Sequence, residues 1–255
     1  MQEETEKERT NTYKQASVLG VPQYIAIRWL IPGFIAAAYI AIYIFITPNA
    51  IDNIDVLKSI NNDSITVAIL LIGATLGFGF IVSIITYPQL ITIREMQKII
   101  MYKVHTNNRC IFQSTNKSYK FAIIINAIIP VVSSFIIYYL LHYSMKIVKI
   151  NRVLGMVHHY EGRSRTAAMD FHLAYGSLNI GYSLLIVTTI INVCFNSSDK
   201  CIYLYIPAGL IYLFSYYYSN KLMSYGYDKV FTTWDKIKSC FNHPNYLNLY
   251  DDVTL

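Results

Sequence analysis

Charge is what this 255-residue chain has least of. Asp, Glu, Lys and Arg make up 14% of it, against roughly 25% in an ordinary soluble domain. That scarcity excludes a disordered chain and a surface built to wrap nucleic acid. Four cysteines are too few for the disulfide framework of a small secreted scaffold. Phosphate-loop, Gly-x-Ser-x-Gly and His-Glu-x-x-His patterns are missing, so no motif indicates an enzyme. The long apolar blocks hold no Asp, Glu, Lys or Arg. They therefore lack the usual groups of a proton-coupled carrier or a charged ion filter. The chain reads as non-enzymatic, without metal or cofactor.

What the chain does have is apolar length. Apolar residues are 54% of it, and its mean hydropathy is +0.36. Charge-free runs extend over 23 residues after Arg28, 30 from Ser64, 25 from Phe121, 28 from Phe171 and 20 from Cys201. A helix needs about 20 mostly apolar residues to cross a bilayer. Backbone polar groups in lipid must be paired within the segment, so these runs predict helices despite their β-favouring Ile and Tyr. The predicted spans are 28–47, 65–87, 175–195 and 201–219. Residues 1–27 are polar and of mixed charge, unlike a cleavable signal, and form an N-terminal cytoplasmic segment.

The run at 121–144 is a special case. Cationic residues favour the cytoplasmic side of short loops. If all five runs cross, the 21 Lys and Arg divide 11 to 10, which sets no orientation. If 121–144 enters and leaves on one side, 19 lie inside, and only Lys58 and Lys200 lie outside. Pro130 interrupts this run, as proline breaks or kinks a helix. The sequence therefore predicts an all-α polytopic transmembrane bundle of four spans plus one re-entrant or buried hydrophobic segment. An ordinary fifth span with a proline kink is the alternative. The transmembrane domain covers 28–219 and a cytoplasmic tail covers 220–255. Both termini lie in the cytoplasm of a multi-pass cell-membrane protein.

The predicted outer loops are acidic at Asp52, Asp55 and Asp63, and short at 196–200. Cys194 and Cys201 flank the second, as a disulfide in an oxidising compartment or as two separate thiols. Segments 88–120 and 145–174 read as basic amphipathic stretches at headgroup level. In the first, Ile93, Met96, Ile100 and Val104 alternate with Arg94, Lys98 and Lys103. In the second, Ile147, Ile150, Leu154 and Val157 run beside Lys146, Lys149 and Arg152. Neither has the interleaved aromatics of an RNA surface, so direct nucleic-acid binding is not expected.

Three constellations stand out. Gly73, Gly77 and Gly79, with Ser177 and Gly181, are small residues at spacings that let helices approach closely. They predict tight packing within the chain or in a homo-oligomer. Asn126, Ser133, Ser134, Asn179 and Asn192 are polar groups inside apolar runs, able to join helices or to line a water path. His158, Glu161, Asp170 and His172 form the densest reactive cluster. The His158–Glu161 spacing suits two ligands on one helix face. Gly162 argues against a continuous helix there, and a polar collar at the membrane edge is the plainer reading.

Ile31-Pro32-Gly33, the stretch from Gly77 to Ser83 with Tyr87 after it, and Arg165 followed by Phe171-His172 and Gly176 give a further clue. Together they resemble a group of uncharacterised, mainly archaeal, multi-pass membrane proteins. The resemblance covers about a third of the chain in short pieces. It departs from the group's pattern in lacking a Gln-aromatic pair after the second span and an Arg-Arg-aromatic run before the histidine. Some members are similar to membrane accessories of prokaryotic defence systems. The resemblance implies a role in the bilayer and transfers no activity.

The first functional expectation is an oligomeric pore or a membrane-perturbing effector or accessory, with the lipid bilayer and further copies of the chain as partners. The alternatives are a membrane subunit of a DNA-transfer machine that docks a cytoplasmic protein, and an intramembrane enzyme using the His158–His172 cluster.

Overall fold

A computed structural model of the chain describes residues 17–18, 21–46, 64–106, 121–142, 150–151, 153–155, 157, 165–194 and 202–240. Apart from a two-residue antiparallel pair, Ser17–Val18 with Val21–Pro22, the described elements are helical. The first begins with a turn at Gln23–Ile25 and a π-helix at Ala26–Leu30, and continues as α1 (Ile31–Ile46). Helix α2 is Ser64–Thr106. A short α3 (121–128) precedes α4 (Pro130–His142). Helices α5 (Arg165–Cys194) and α6 (Ile202–Cys240) follow. The described residues between 150 and 157 are also helical.

Three stretches are long and apolar enough to cross a membrane: Gln23–Tyr43, Leu71–His105 and Ala167–Val193. They cover three of the four predicted spans. The predicted span at 201–219 is helical within α6, but it is not among these three. Tyr203, Tyr205, Tyr212, Tyr216, Tyr217 and Tyr218 lower its hydropathy with their hydroxyls. The first stretch also starts earlier than expected, at Gln23 instead of Arg28.

The distribution of side chains suits lipid as the solvent. Phe80, Ile81, Ile84, Ile206, Leu210 and Phe214 are exposed, whereas Thr86, Asn126, Ser134, Asn179 and Thr188 are buried. In water, so much exposed apolar surface would drive association or aggregation. In a bilayer, the outer surface is satisfied and the polar groups pair inside. This is a membrane protein.

The chain divides into two compact units. The first comprises Met1–Thr86 and Tyr175–Ser215, the second Tyr87–Ala174 and Tyr216–Leu255. In the first, Ala36 on α1 is buried with Val187 and Ile191 on α5, flanked by Tyr39, Phe78 and Leu204. Glycines set its close approaches. A Cβ on Gly33 would collide with the carbonyl of Thr75, and one on Gly79 with the carbonyl of Trp29. The Trp29 and Phe80 rings meet edge to face with centroids 5.2 Å apart.

In the second unit, Ile99, Ile150, Val153, Val157, Ala167, Tyr227, Val230, Phe231 and Trp234 form one buried apolar cluster. Pro88 does not end α2. Gln89, Leu90, Thr92, Ile93, Glu95, Met96, Gln97, Lys98 and Ile99 are all buried. These positions surround the helix, so Lys98 is enclosed within the unit and does not lie on an exposed basic stripe.

Within the run predicted at 121–144, residues 121–142 form a bent helix. The bend falls at Ile129, between α3 and α4. The backbone ladder crosses it, because Ile129 N–H donates to the Ile125 carbonyl (2.9 Å) and Ser133 N–H to that of Ile129 (3.1 Å). The chain therefore does not turn back on itself at Pro130. The proposed Cys194–Cys201 contact lies outside the described residues, as do His158 and Glu161.

Candidate functional site

Two polar centres organise the units, and each is built on a proline. In the first unit, Pro32 has no N–H to offer the carbonyls four and five residues earlier, those of Arg28 and Ile27. The chain is a π-helix there, with Ile31 N–H bonded to the Ala26 carbonyl. Both carbonyls that Pro32 leaves turn toward α5. The Arg28 oxygen accepts from Asn179 Nδ2 at 2.8 Å. The Ile27 oxygen sits so close to Gly176 that a Cβ on the glycine would lie 2.5 Å away. Asn179 Oδ1 accepts from Thr86 Oγ1 of α2 at 2.6 Å. One fully buried asparagine therefore ties α5 both to the π-helix and to α2.

Arg28 projects from this pinned turn. Its guanidinium carbon lies 4.2 Å from the centroid of the Tyr175 ring, a cation–π distance. Its Nε is buried and has no hydrogen-bond partner among the described residues. Among the described residues of the first unit, Arg28 is also the only Asp, Glu, Lys or Arg.

In the second unit, Pro130 leaves the carbonyl of Asn126 without its helical donor. Gln89 Nε2 of α2 supplies the replacement, at 2.6 Å. The Asn126 side chain is the hub of the surrounding network. Its Oδ1 accepts from Ser133 Oγ (3.2 Å) and Ser134 Oγ (2.8 Å). Its Nδ2 donates to the Tyr216 hydroxyl (3.3 Å), which donates to the Ile123 carbonyl (2.8 Å). Thr92 Oγ1 donates to the Ser134 carbonyl at 3.1 Å.

Charged groups gather in the second unit. Buried Glu95 pairs with Lys98 and lies 3.2 Å from Arg94, and Lys98 also donates to Asn151 Oδ1 at 3.0 Å. His105 stands between two carboxylates of α6, with Nδ1 2.7 Å from Asp235 and Nε2 3.1 Å from Asp228. Lys229 meets Asp170 at 2.5 Å.

The structure sorts the residues singled out from sequence. Gly79 and Gly181 mediate close approaches, the latter to Tyr212 and Ser215 of α6. At Gly73 and Gly77 an added Cβ would meet nothing within 4 Å. Ser177 and Asn192 are half-buried. Asn126, Ser133, Ser134 and Asn179 are buried and hydrogen-bonded within the chain. Asp170 and His172 share α5, but two residues apart they do not face each other, and Asp170 engages Lys229. Among the described residues, no three His, Cys, Asp or Glu side chains gather where they could hold a metal.

Sequence reasoning overlooked Arg28, Tyr175, Thr86, Gln89, Thr92 and Tyr216. One signal was available: counting four residues back from Pro32 and Pro130 gives Arg28 and Asn126, whose carbonyls need outside donors. No family model, curated protein or solved structure matches this chain.

Proposed function

We propose that this chain is a non-enzymatic cell-membrane protein that works by self-association in the bilayer, as a pore or membrane-perturbing effector or accessory. The supporting observation is the division of labour among the glycines of α2. Gly79 is used inside the chain, against Trp29, while Gly73 and Gly77 lie on an exposed face with open space around them. That face continues through exposed Phe80, Ile81 and Ile84. A Gly-xxx-Gly pair followed by large apolar residues suits close docking of a second helix in lipid. The buried Asn and Ser groups join helices within one copy, so any conduit belongs between copies.

The proposed topology has four spans, with the bent helix 121–142 not crossing to the other side of the bilayer and both termini in the cytoplasm. The positive-inside count favours it. So does the packing on either side of the bent helix: Ile99, which precedes it, and Ile150, which follows it, share one apolar cluster. Single cysteines at 150, 198 and 245 test the arrangement. An impermeant thiol reagent applied outside intact cells is expected to label only 198, and labelling at 150 would refute the topology.

The function is tested by planar-bilayer recording and by crosslinking in native membranes. Crosslinked oligomers that are lost on Gly73→Ile and Gly77→Ile substitution are the expected result. A monomer in membranes with no conductance under any condition would reject the proposal.

A further inference from the structure

The geometry points to Arg28 as a binding site for the phosphodiester of an anionic phospholipid. A cation in an apolar helical unit is costly unless it meets an anion or water. The described part of this unit supplies no carboxylate, since its remaining side chains are uncharged. What the unit does supply is a holder. Tyr175 covers one face of the guanidinium at 4.2 Å. The turn that carries Arg28 is anchored through its own carbonyl to Asn179 and packed against Gly176. The planar group is thus pre-oriented, while its buried Nε keeps an unused N–H. The terminal Nη1 and Nη2 groups beyond it form the fork that matches two oxygens of a phosphate.

Depth favours lipid as the source of the phosphate. Arg28 lies near the start of the membrane-crossing stretch Gln23–Tyr43. Tyr24 and Trp29 occupy neighbouring turns, and Tyr24 is exposed. Tyrosine and tryptophan concentrate where acyl chains give way to headgroups. A phosphodiester at that level reaches the guanidinium without entering the hydrocarbon. A net-anionic headgroup also compensates a charge that a zwitterionic one, with its own ammonium, offsets only in part.

The test is native mass spectrometry of the full chain in neutral detergent, offered phosphatidylglycerol, phosphatidylcholine or inorganic phosphate. Phosphatidylglycerol is expected to be retained in preference to phosphatidylcholine, and millimolar inorganic phosphate should not displace it. Arg28→Gln should lower retention about tenfold, as expected for loss of one charge-assisted pair. Arg28→Lys keeps the charge but not the fork, and should retain less lipid than the wild type. Equal retention by the wild type and Arg28→Gln overturns the site. Displacement by inorganic phosphate overturns the lipid assignment. If Arg28→Gln fails to fold, Arg28→Lys decides, and wild-type retention by that variant overturns the proposal.

Discussion

The side-chain amide of Asn179 stands in for a backbone donor that Pro32 cannot provide, reaching the carbonyl oxygen of Arg28 at 2.8 Å. The same device recurs where Gln89 serves the carbonyl of Asn126 left by Pro130, at 2.6 Å. In both cases a proline opens a helix and an amide from a different helix closes it. Prolines in membrane helices are tolerated on this condition, because an orphan carbonyl in hydrocarbon finds no water.

The Asn179 bridge is expected to be stabilising and coupled to the proline. Asn179→Leu should cost roughly 1–3 kcal/mol by leaving buried polar groups unmet. Pro32→Ala restores an N–H that can reach Arg28, so the double variant should lose less than the two single losses added together. Thermal unfolding in detergent of the wild type and three variants measures the coupling. Simple additivity would show that the proline and the asparagine act separately.

A parallel cycle applies to Gln89 and Pro130. Gln89→Leu should destabilise by a similar amount, and Pro130→Ala should rescue part of that loss by straightening α3 into α4. Hydrogen exchange at Ala127 to Ser134 is the sharper readout. Protection there should fall in Gln89→Leu and return in the double variant.

The α2 glycines should separate folding from association. Gly79→Ala places a methyl group against the Trp29 backbone and should destabilise by about 1–3 kcal/mol, the usual cost of overpacking. Gly73→Ala and Gly77→Ala, where an added Cβ meets open space, should leave the melting temperature of the monomer unchanged or slightly raised. Comparing the three melting curves is sufficient, and equal losses at all three positions would contradict the assigned faces.

Glu95 and Lys98 form a pair in which both side chains are almost completely buried, at 7% and 6% exposure. Breaking it at Glu95 strands the buried Lys98, so Glu95→Leu alone should cost about 3–5 kcal/mol. Replacing both, with Glu95→Leu and Lys98→Met, should recover most of that. Chemical denaturation of the single and double variants checks the order, and a double variant no more stable than the single one would contradict it.

The spacing of charges revealed the membrane and the helices, because crossing about 30 Å of hydrocarbon demands long uncharged runs whatever the fold. It also drew attention to Asn126, Ser133, Ser134 and Asn179, since a polar group in such a run needs a partner. It did not indicate which partner. Gln89 and Asn126 are far apart in the chain, and their meeting depends on how α2 packs beside α3. The sequence likewise could not separate Gly77 from Gly79. Two residues apart on a helix they point in different directions, and only the neighbouring helix makes one a contact and leaves the other open. Arg28 read as the edge of a span until packing placed it over Tyr175.

Hydrophobic length and charge distribution, which act locally along the chain, thus determined by themselves that this protein is helical and lives in a bilayer. The tertiary structure alone decided which carbonyls are served by which amides, which glycines face inward and which cation has no carboxylate beside it. Those are relations between distant residues, fixed by the simultaneous packing of several helices, and no local pattern encodes them.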